Sequence, residues 1–472
     1  MFATDNNGHL FGLSLDKKGV YRWTGTPDKW ENIGGSADKI FAGWDRLLFA
    51  TSPDIKDLWF YKPACPPITN IPNFAGTIVT EKMKPISGKR HVLAILWDPQ
   101  RPDHPAPSKQ DIDQLLFETT KSIKDWFKQN SGGKLEMVRA GVLGWYKADK
   151  EAKHYWEETA SKDPYDKDGD GFLEGHVEKW TEAIKKAAKD FNFAAYDFNK
   201  DGKLTPDELG IFIIIPQNTG DGFGRGTAEK QYPKFEPLKV QGVEIPWIVE
   251  WYAGYPPAFN VAAHELGHLV LNSPDMYIYG DWPYSAIIYS MMDRDKGTAH
   301  IDPVEKLKLG WLNWKVATQS GVYTLKDIET HNEALILCHP QRGTDEYFII
   351  ENRWRGSSYD AGVPKVGQGI PMDGIGIWHV IENPQVFNKV GPFPMPVAQG
   401  DWGRRGILLI RANGGTPLDD TKALFNKTGT IISDRTSPAQ LLWLDGTRTC
   451  FGVKLLSDAG PEVQLEVTIT CP

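Results

Sequence analysis

The stretch AFNVAAHELGHLVL, residues 258–271, decides the interpretation of this chain. Its apolar residues recur at the three- and four-residue spacing of a helix that is buried over most of its surface. On that helix His264 and His268 project from one face, with Glu265 beside them. Two imidazoles so placed can hold one Zn²⁺, and a neighbouring carboxylate can accept a proton from a zinc-activated water. We therefore predict one catalytic zinc, with His264 and His268 as ligands and Glu265 as general base.

A buried pair of histidines can also be an ordinary hydrogen-bonded part of a core, so the rest of the ligand set matters. Catalytic zinc usually has a third protein ligand. The helix is expected to end at Asn272, because Pro274 cannot continue it and asparagine tolerates the left-handed conformation of a helix end. Asp275 follows this turn and is our predicted third ligand. The alternatives are a supporting role for Asp275 beside the ligands, or ligation by His300, Asp293 or Glu305.

Two acidic loops precede this helix, and each has oxygen-bearing residues at positions 1, 3 and 5 and glycine at position 6, as in EF-hand calcium loops. The first contains Asp166, Asp168 and Asp170 but has Val177 at position 12. The second is complete, with Asp197, Asn199, Asp201, Lys203 through its main chain, and Glu208 as its predicted ligands. We predict one or two structural Ca²⁺ ions. The alternative is a pair of Asp-rich surface turns without metal.

The N-terminal residues contain an internal repeat. Residues 10–23 are echoed by residues 48–61, and short alternating apolar and polar runs lie between turn residues. The spacing of 38 residues is typical of β-propeller blades. Residues 19–35 also resemble the repeat of tectonin-like propellers, which often bind glycans. Since a closed propeller needs at least four blades, a β-rich segment packed on the next domain is the alternative to a glycan-binding module.

The remaining elements predict an α+β protein. HVLAILWD, residues 91–98, has the continuous apolar character of a buried strand, and residues 108–132 predict one helix that begins after Ser108 and ends at a Gly-Gly pair. From Val322 onwards, short alternating runs separated by Gly, Asp and Pro favour a β-sandwich or an open barrel.

Composition limits the classes of partner. The formal charge of −8 argues against a broad nucleic-acid-binding surface, which would need clustered Lys and Arg. No apolar run is long enough to span a membrane. The four cysteines are too few for a disulfide scaffold in a chain of 472 residues. The first residues lack the basic and apolar segments of a secretory signal peptide.

Taken together, these motifs resemble the immune-inhibitor-A-like secreted metallopeptidases, zinc endopeptidases related to the metzincins. HELGHLVLNSPDMY is similar to that family's H-E-x-G-H-x-x-G-L-P-D-x-Y motif, and YSMM to its methionine turn, with Met292 as the turn methionine. The resemblance extends over about residues 88–465, through motifs such as VEKLKLGWLNW and EYFIIENRWRGSSYD. It implies Asp275 as third ligand and secretion, although this chain carries no recognisable signal.

The resemblance also implies a domain organisation. We expect a β-rich repeat segment at residues 1–74, a metzincin-like catalytic domain with the calcium loops at residues 75–317, and a β-sandwich-like domain at residues 318–472.

One departure from the family motif concerns the end of the metal helix. Leu271 stands where the family has glycine, and the Pro-Asp pair comes one residue late. An inserted residue restores the geometry if Asn272 takes over the left-handed turn. Otherwise the following chain is rotated by about 100° and Asp275 misses the metal.

The expected function is therefore zinc-dependent endopeptidase activity on protein or peptide substrates. Tyr277 and Tyr289 are candidates for stabilising the oxyanion. Two rival functions remain: a catalytically weak protease-like scaffold that binds glycans or proteins, and a metalloamidase that acts on cell-wall peptides. Cleavage specificity and oligomeric state do not follow from the sequence.

Overall fold

The computed structural model describes residues 1–4, 10–24, 26–42, 48–61, 85–155, 174–217, 222–225, 238–273, 288–292, 297–339, 342–363, 367–381, 387–388, 395–396, 407–413, 420–436 and 440–470. Both helices and strands are common in these residues. None of the helices among them is long and apolar enough to cross a membrane.

The N-terminal repeat is a repeat of structure. Its strands are β1 (Phe2–Thr4), β2 (Leu10–Leu13), β3 (Val20–Trp23), β4 (Trp30–Gly34), β5 (Ile40–Ala42), β6 (Leu48–Thr51) and β7 (Leu58–Tyr61). The first four form one antiparallel sheet and the other three a second. The strands β5, β6 and β7 begin and end 38 residues after β1, β2 and β3.

The turns between the strands repeat as well. The hydroxyl oxygens of Ser14 and Ser52 each accept the N–H of the residue five positions later, at 2.9 Å in both copies. Lys17 and Ile55 both adopt a left-handed conformation, with φ of 58° and 60°. The same side-chain contact therefore builds the same turn twice, and one small apolar cluster joins the two sheets.

The central sheet contains β8 (Gly88–Asp98), β9 (Leu135–Lys147), β10 (Gly210–Pro216), β11 (Gly222–Arg225) and β14 (Ile248–Ala253), in the order β11-β14-β10-β8-β9. β8 runs parallel to β9 and β10, and β10 runs parallel to β14. β11 is antiparallel to β14 and forms one edge. A hairpin of β12 (Leu238–Val240) and β13 (Val243–Ile245) lies outside this sheet.

Helices cover both faces of the central sheet. They are α1 (Lys109–Phe117), α2 (Ile123–Asn130), α3 (Glu174–Ala187) and α4 (Phe259–Leu266). Alternate residues of β8 point to opposite faces, so Leu96 shares a core with α1, α2 and α4, while Trp97 shares a core with α3. The continuous apolar run of residues 91–98 is thus an interior strand covered on both faces, and the buried strand that its sequence predicts is confirmed.

The single helix expected over residues 108–132 is wrong, because the structure divides it into α1 and α2. Ser108 caps α1 as the sequence predicts. Ser122 caps α2 by accepting the N–H of Asp125 at 3.2 Å, and its own hydroxyl donates to the Glu118 carbonyl at 2.5 Å. A serine with both bonds ends one helix and begins the next.

The C-terminal part contains two larger sheets. The first is β15 (Asn313–Val316), β17 (Glu333–Cys338), β18 (Glu346–Arg353), β21 (Gly374–Ile381) and β24 (Ile407–Ile410), and the second is β16 (Gly321–Lys326), β27 (Glu462–Ile469), β26 (Phe451–Leu455) and β25 (Ile431–Ser433). Short pairs are formed by β19 (Gly362–Val363) with β20 (Gly367–Gln368) and by β22 (Phe387–Asn388) with β23 (Met395–Pro396). Two short helices belong to this part of the chain: α5 (Pro303–Lys308) precedes β15, and α6 (Ile328–His331) lies between β16 and β17.

The first C-terminal sheet is buried on both faces. One face shares an apolar core with the second sheet, through residues such as Phe348 and Val453. The other face packs on α5, α6 and the segment that contains Tyr289. β15 ends one residue before the expected domain limit at 317, yet it pairs with β17 of the C-terminal sheet. The C-terminal sheet is therefore continuous in packing with the region that carries the two histidines.

Candidate metal centre

Every residue of the helix that carries the two histidines is buried except Asn260, which is partly exposed. α4 ends at Leu266 and continues as one π-helical turn, Gly267–Leu271. His264, Glu265 and His268 are at most 4% exposed. The apolar neighbours of these three residues belong to the core beneath the central sheet, so burial of the helix follows from its sequence pattern.

The imidazoles of His264 and His268 face each other. Their Nε2 atoms are 3.2 Å apart, and their ring planes are nearly perpendicular, at 89°. Each Nδ1 lies at hydrogen-bonding distance from a main-chain oxygen: His264 from Met291 at 2.9 Å and His268 from Ser273 at 2.7 Å. A carbonyl oxygen can only accept, so these contacts assign the proton to Nδ1 in both rings. Both Nε2 lone pairs then point toward the same region.

This donor arrangement fits zinc. Two ligand nitrogens at about 2.0–2.1 Å from a tetrahedral Zn²⁺ are about 3.3 Å apart, close to the spacing of the two Nε2 atoms. Ligand histidines usually donate the other ring N–H to a carbonyl or carboxylate, which fixes the tautomer and the ring orientation. Two facing lone pairs repel each other unless a cation lies between them. The residues present thus fit a metal on chemical grounds.

Met292 lies against this helix at Gly267, the first residue of the π-helical turn. A β-carbon built on Gly267 would lie 2.6 Å from Met292 Sδ, so the methionine occupies the space that any larger residue at position 267 would need. Met292 is completely buried, and the carbonyl of Met291 is the one that His264 contacts. We refer to residues 288–292 as the methionine segment.

The π turn lies at the helix end where the sequence has one residue more than the motif it resembles. A π turn accommodates one more residue than an α turn, and here it spans Gly267–Leu271. Asn272 follows with φ 55° and ψ 32°, and its N–H bonds to the Gly267 carbonyl. The left-handed asparagine then brings the Ser273 carbonyl to His268 Nδ1. The longer helix end is therefore compatible with correctly oriented histidines.

Several of the predicted site residues lie outside the described part of the chain. These are Asp275 and Tyr277, the alternative ligand Asp293, and the first acidic loop with Asp166, Asp168 and Asp170. Among the described residues, no group of three or more His, Cys, Asp or Glu side chains is arranged to hold a metal ion.

Other candidates have different surroundings. His300 is completely buried, and its Nδ1 lies 3.0 Å from Lys306 Nζ. Its pKa is held well below the ordinary value by burial and then by the charges of Lys306 and Arg353. Glu305 lies on α5, 1% exposed. Tyr289 is completely buried in the core beneath the C-terminal sheet, which favours a structural role for it over stabilisation of an oxyanion.

The second acidic loop has the backbone of a metal-binding turn. Its fourth and sixth positions, Lys200 and Gly202, have φ of 59° and 81°. Oxygens of Asp197 accept the N–H groups of Asp201 and Gly202, each at 3.1 Å. These contacts are those that a sharp EF-hand-type turn requires.

Glu208 closes the loop. Its Oε1 accepts the N–H of Phe198 at 3.0 Å, and its Oε2 accepts the N–H of Thr205 at 3.3 Å. The side chain is 7% exposed and reaches back to the beginning of the loop. The position-12 carboxylate is therefore directed inward, as a calcium ligand would be, and its present partners are main-chain N–H groups.

The loop is attached to the hairpin of β12 and β13. Leu204 N–H donates to the Glu244 carbonyl at 2.7 Å, and Glu244 N–H donates to the Gly202 carbonyl at 2.8 Å. The acidic loop is thereby attached to a hairpin that packs against the central sheet.

A cavity of about 450 Å³ lies between these elements. It is lined by Arg90 near the start of β8, by Thr205 in the acidic loop, by Trp247 before β14 and by His268 with the helix end that follows it. The volume is within the range of small-ligand sites. A peptide side chain could occupy it beside the candidate ligand His268.

The chain matches no protein-family model and no curated protein sequence. The function of this chain must therefore follow from the geometry of its site.

Sequence reasoning did not identify the groups that orient the histidines. The two acceptors are main-chain carbonyls, and main-chain groups leave no signature in a sequence. The sequence did contain a weak signal for a buried polar cluster. The strand EYFIIENR places Glu351 and Arg353 among mostly apolar residues. Charges in a doubly buried strand indicate a partner inside the protein.

Proposed function

We propose that this protein is a zinc-dependent endopeptidase. The observation that carries the proposal is the pair of Nε2 atoms, 3.2 Å apart, in two histidines whose Nδ1 atoms both face main-chain carbonyls. Glu265 lies between these histidines and is buried with them. This set of donors supports zinc, and a carboxylate beside zinc supports hydrolysis.

His264 and His268 would hold the zinc, with Asp275 as the proposed third ligand after the turn at Asn272. Bound zinc would polarise a peptide carbonyl and lower the pKa of a water molecule. Glu265 would accept the proton of the attacking water and then deliver it to the leaving nitrogen. The hydrogen bonds at Nδ1 keep both rings in the required tautomer throughout.

The edge of the central sheet offers a place for an extended peptide. β11 is the antiparallel edge strand, and α4 packs against it. A substrate strand added at this edge would be held by main-chain hydrogen bonds. The cavity beside His268 would take one side chain of that substrate.

The second acidic loop would bind one structural Ca²⁺ through Asp197, Asn199, Asp201, the Lys203 carbonyl and Glu208. The ion would offset the mutual repulsion of these carboxylates and stiffen the loop on the hairpin of β12 and β13. A glycan-binding role for the N-terminal repeat is a second proposal, supported by the repeat of three antiparallel strands in its two sheets.

The test is metal analysis and proteolysis of the full chain. We expect one zinc per chain and cleavage of casein. Glu265→Ala should retain zinc and lower kcat/KM by about 10²–10⁴, the usual contribution of a general base. Glu136→Ala, which removes an exposed glutamate from β9, is the matched control and should behave as the wild type.

The possible results separate the rival functions. Equal casein cleavage by the wild type and Glu265→Ala would contradict the peptidase mechanism. Zinc binding without turnover of any substrate would favour a protease-like binding scaffold. Hydrolysis of small acyl amides without proteolysis would favour a metalloamidase.

A further inference from the structure

Arg353 is the last residue of β18 and is completely buried. Its Nε donates to Glu351 Oε2 at 2.8 Å, and its Nη1 lies 3.3 Å from both carboxylate oxygens of Asp360. Burial opposes its charge, but Glu351 and Asp360 outweigh burial, so the pKa of Arg353 is raised above its ordinary value. A guanidinium fixed on two sides by carboxylates can orient what it contacts on the third side.

The third side is the methionine segment. Arg353 Nη2 donates to the main-chain oxygen of Tyr289 at 2.8 Å. Two residues later, the main-chain oxygen of Met291 lies 2.9 Å from His264 Nδ1. Residues 289–291 thus accept a hydrogen bond from the Arg353 guanidinium at one end and contact the candidate zinc ligand His264 at the other.

A second contact holds the same piece of chain between these ends. Ser290 Oγ donates to Asp302 Oδ2 at 2.8 Å, and Asp302 Oδ1 caps α5 by accepting the N–H of Val304 at 2.9 Å. Ser290, Asp302 and Arg353 are all at most 1% exposed. Hydrogen bonds to charged groups in a buried setting are among the stronger ones in proteins. The methionine segment is therefore fixed from the side of the C-terminal sheet.

We propose that Arg353 is a positioning residue of the zinc site: by holding the Tyr289 carbonyl it places the Met291 carbonyl that orients His264. The proposal rests on the zinc site of the proposed function. It assigns to the C-terminal sheet an indirect part in zinc binding, through contacts from β18 to the methionine segment and from that segment to His264.

The arrangement needs arginine in particular. The guanidinium directs donors to Glu351, to Asp360 and to the Tyr289 carbonyl from one rigid plane. Lysine has three donors on one nitrogen and cannot reach three such separated acceptors. Arg353→Lys therefore keeps the buried positive charge and removes the geometry.

The experiment compares the wild type with Arg353→Lys in the full chain. Zinc affinity is measured by competition with a chromophoric chelator, and the visible absorption spectrum of the Co²⁺-substituted protein reports ligand geometry. We expect zinc affinity to fall about 10–100-fold, the usual effect of losing a group that orients a metal ligand. We also expect the Co²⁺ bands to shift, while circular dichroism of the metal-free protein remains that of a folded chain.

Arg355→Lys is the matched control. Arg355 is the next arginine in the chain, and its exposed side chain pairs with Asp373 away from the methionine segment. It should leave zinc affinity and the Co²⁺ spectrum unchanged. Zinc affinity within about threefold of the wild type in a folded Arg353→Lys, with an unchanged Co²⁺ spectrum, would overturn the assignment.

If Arg353→Lys does not fold, Glu351→Gln decides. It keeps the size of the side chain, but because Oε1 accepts from Trp378 Nε1, the amide NH₂ of glutamine takes the place of Oε2 and faces Arg353 Nε donor to donor. A loss of zinc affinity supports the proposal, and unchanged affinity overturns it. Absence of zinc from the wild type would instead remove the proposed function itself, so the two failures are distinguishable.

Discussion

Gly267 and Met292 are in such close contact that a β-carbon on Gly267 would lie 2.6 Å from the methionine sulfur. Gly267 lies between Glu265 and His268, where α4 continues as the π-helical turn. The helix therefore contacts Met292 between its two candidate zinc ligands. This contact fixes the distance between the helix and the methionine segment.

We predict that Gly267→Ala weakens zinc binding. Alanine is the better helix former by about 1 kcal/mol, but overpacking of a core costs about 1–3 kcal/mol. The methionine must swing away, which disturbs the segment that orients His264. Chelator competition and thermal unfolding measure the two effects. Gly321→Ala, where an added β-carbon meets nothing within 4 Å, is the control.

The double variant Gly267→Ala/Met292→Val isolates the contact, because valine lacks the atoms that would clash. We expect Gly267→Ala to cost less in a chain that already carries Met292→Val than in the wild type. Additive effects of the two substitutions would contradict the direct contact.

We predict that the second acidic loop stabilises the protein through calcium. An ion that binds only the folded chain raises the free energy of unfolding by about 2.7 kcal/mol at 100 times its Kd. Glu208→Gln removes one carboxylate charge from the ligand set and should abolish most of this gain. Thermal unfolding with Ca²⁺ and with EDTA measures it. Glu136→Gln, an exposed change on β9, should keep the full calcium effect; a calcium effect that Glu208→Gln leaves intact would place the ion elsewhere.

Local patterns in the sequence predict these two candidate sites because their residues are close along the chain. The helix of His264 and His268 and the loop that ends at Glu208 each depend on spacings of a few residues. The contacts that orient the site are long-range. Met291 is 27 residues from His264, and Arg353 is 64 residues from Tyr289. No local pattern can report such pairs.

The division of one expected helix into α1 and α2 has a different cause. Leu116 and Ile123 keep a helical spacing of seven residues across the polar residues between them, so periodicity favours one helix. Ser122 instead uses its side chain to cap a new helix, and the cap outweighs the periodicity. The repeat was the opposite case: a 38-residue spacing in the sequence became a residue-by-residue repeat of strands and turns.

We predict that the free energy of unfolding depends on pH above about pH 7 because of Lys306. Its side chain is completely buried, and its Nζ lies 2.7 Å from Asn332 Oδ1 and 3.0 Å from His300 Nδ1. Burial, and then the charge of Arg353, lower the pKa of Lys306 to about 7. Since the unfolded chain binds more protons between this pKa and that of an ordinary lysine, stability should rise with pH across the interval.

Lys306→Met removes this linkage. In the wild type, Lys306 would raise the free energy of unfolding by about 5 kcal/mol over the three to four pH units between its folded and unfolded pKa values. Denaturant unfolding of the metal-free protein from about pH 7 to about pH 10 should show a rising free energy in the wild type and a flatter one in the variant. Lys128→Met, an exposed change on α2, should retain the wild-type slope. Parallel profiles for the wild type and Lys306→Met would show that Lys306 is charged when buried.

We predict, finally, that the left-handed conformation of Asn272 is needed for zinc binding. Asn272 has φ 55°, and the carbonyl of the next residue accepts from His268 Nδ1 at 2.7 Å. Glycine adopts this conformation freely, whereas alanine is strained there by about 1–2 kcal/mol. Asn272→Gly should therefore retain zinc affinity and Asn272→Ala should lose it several-fold, as measured by chelator competition. Equal losses in both variants would assign the role to the asparagine side chain, and equal retention would mean that the Ser273 carbonyl does not orient His268.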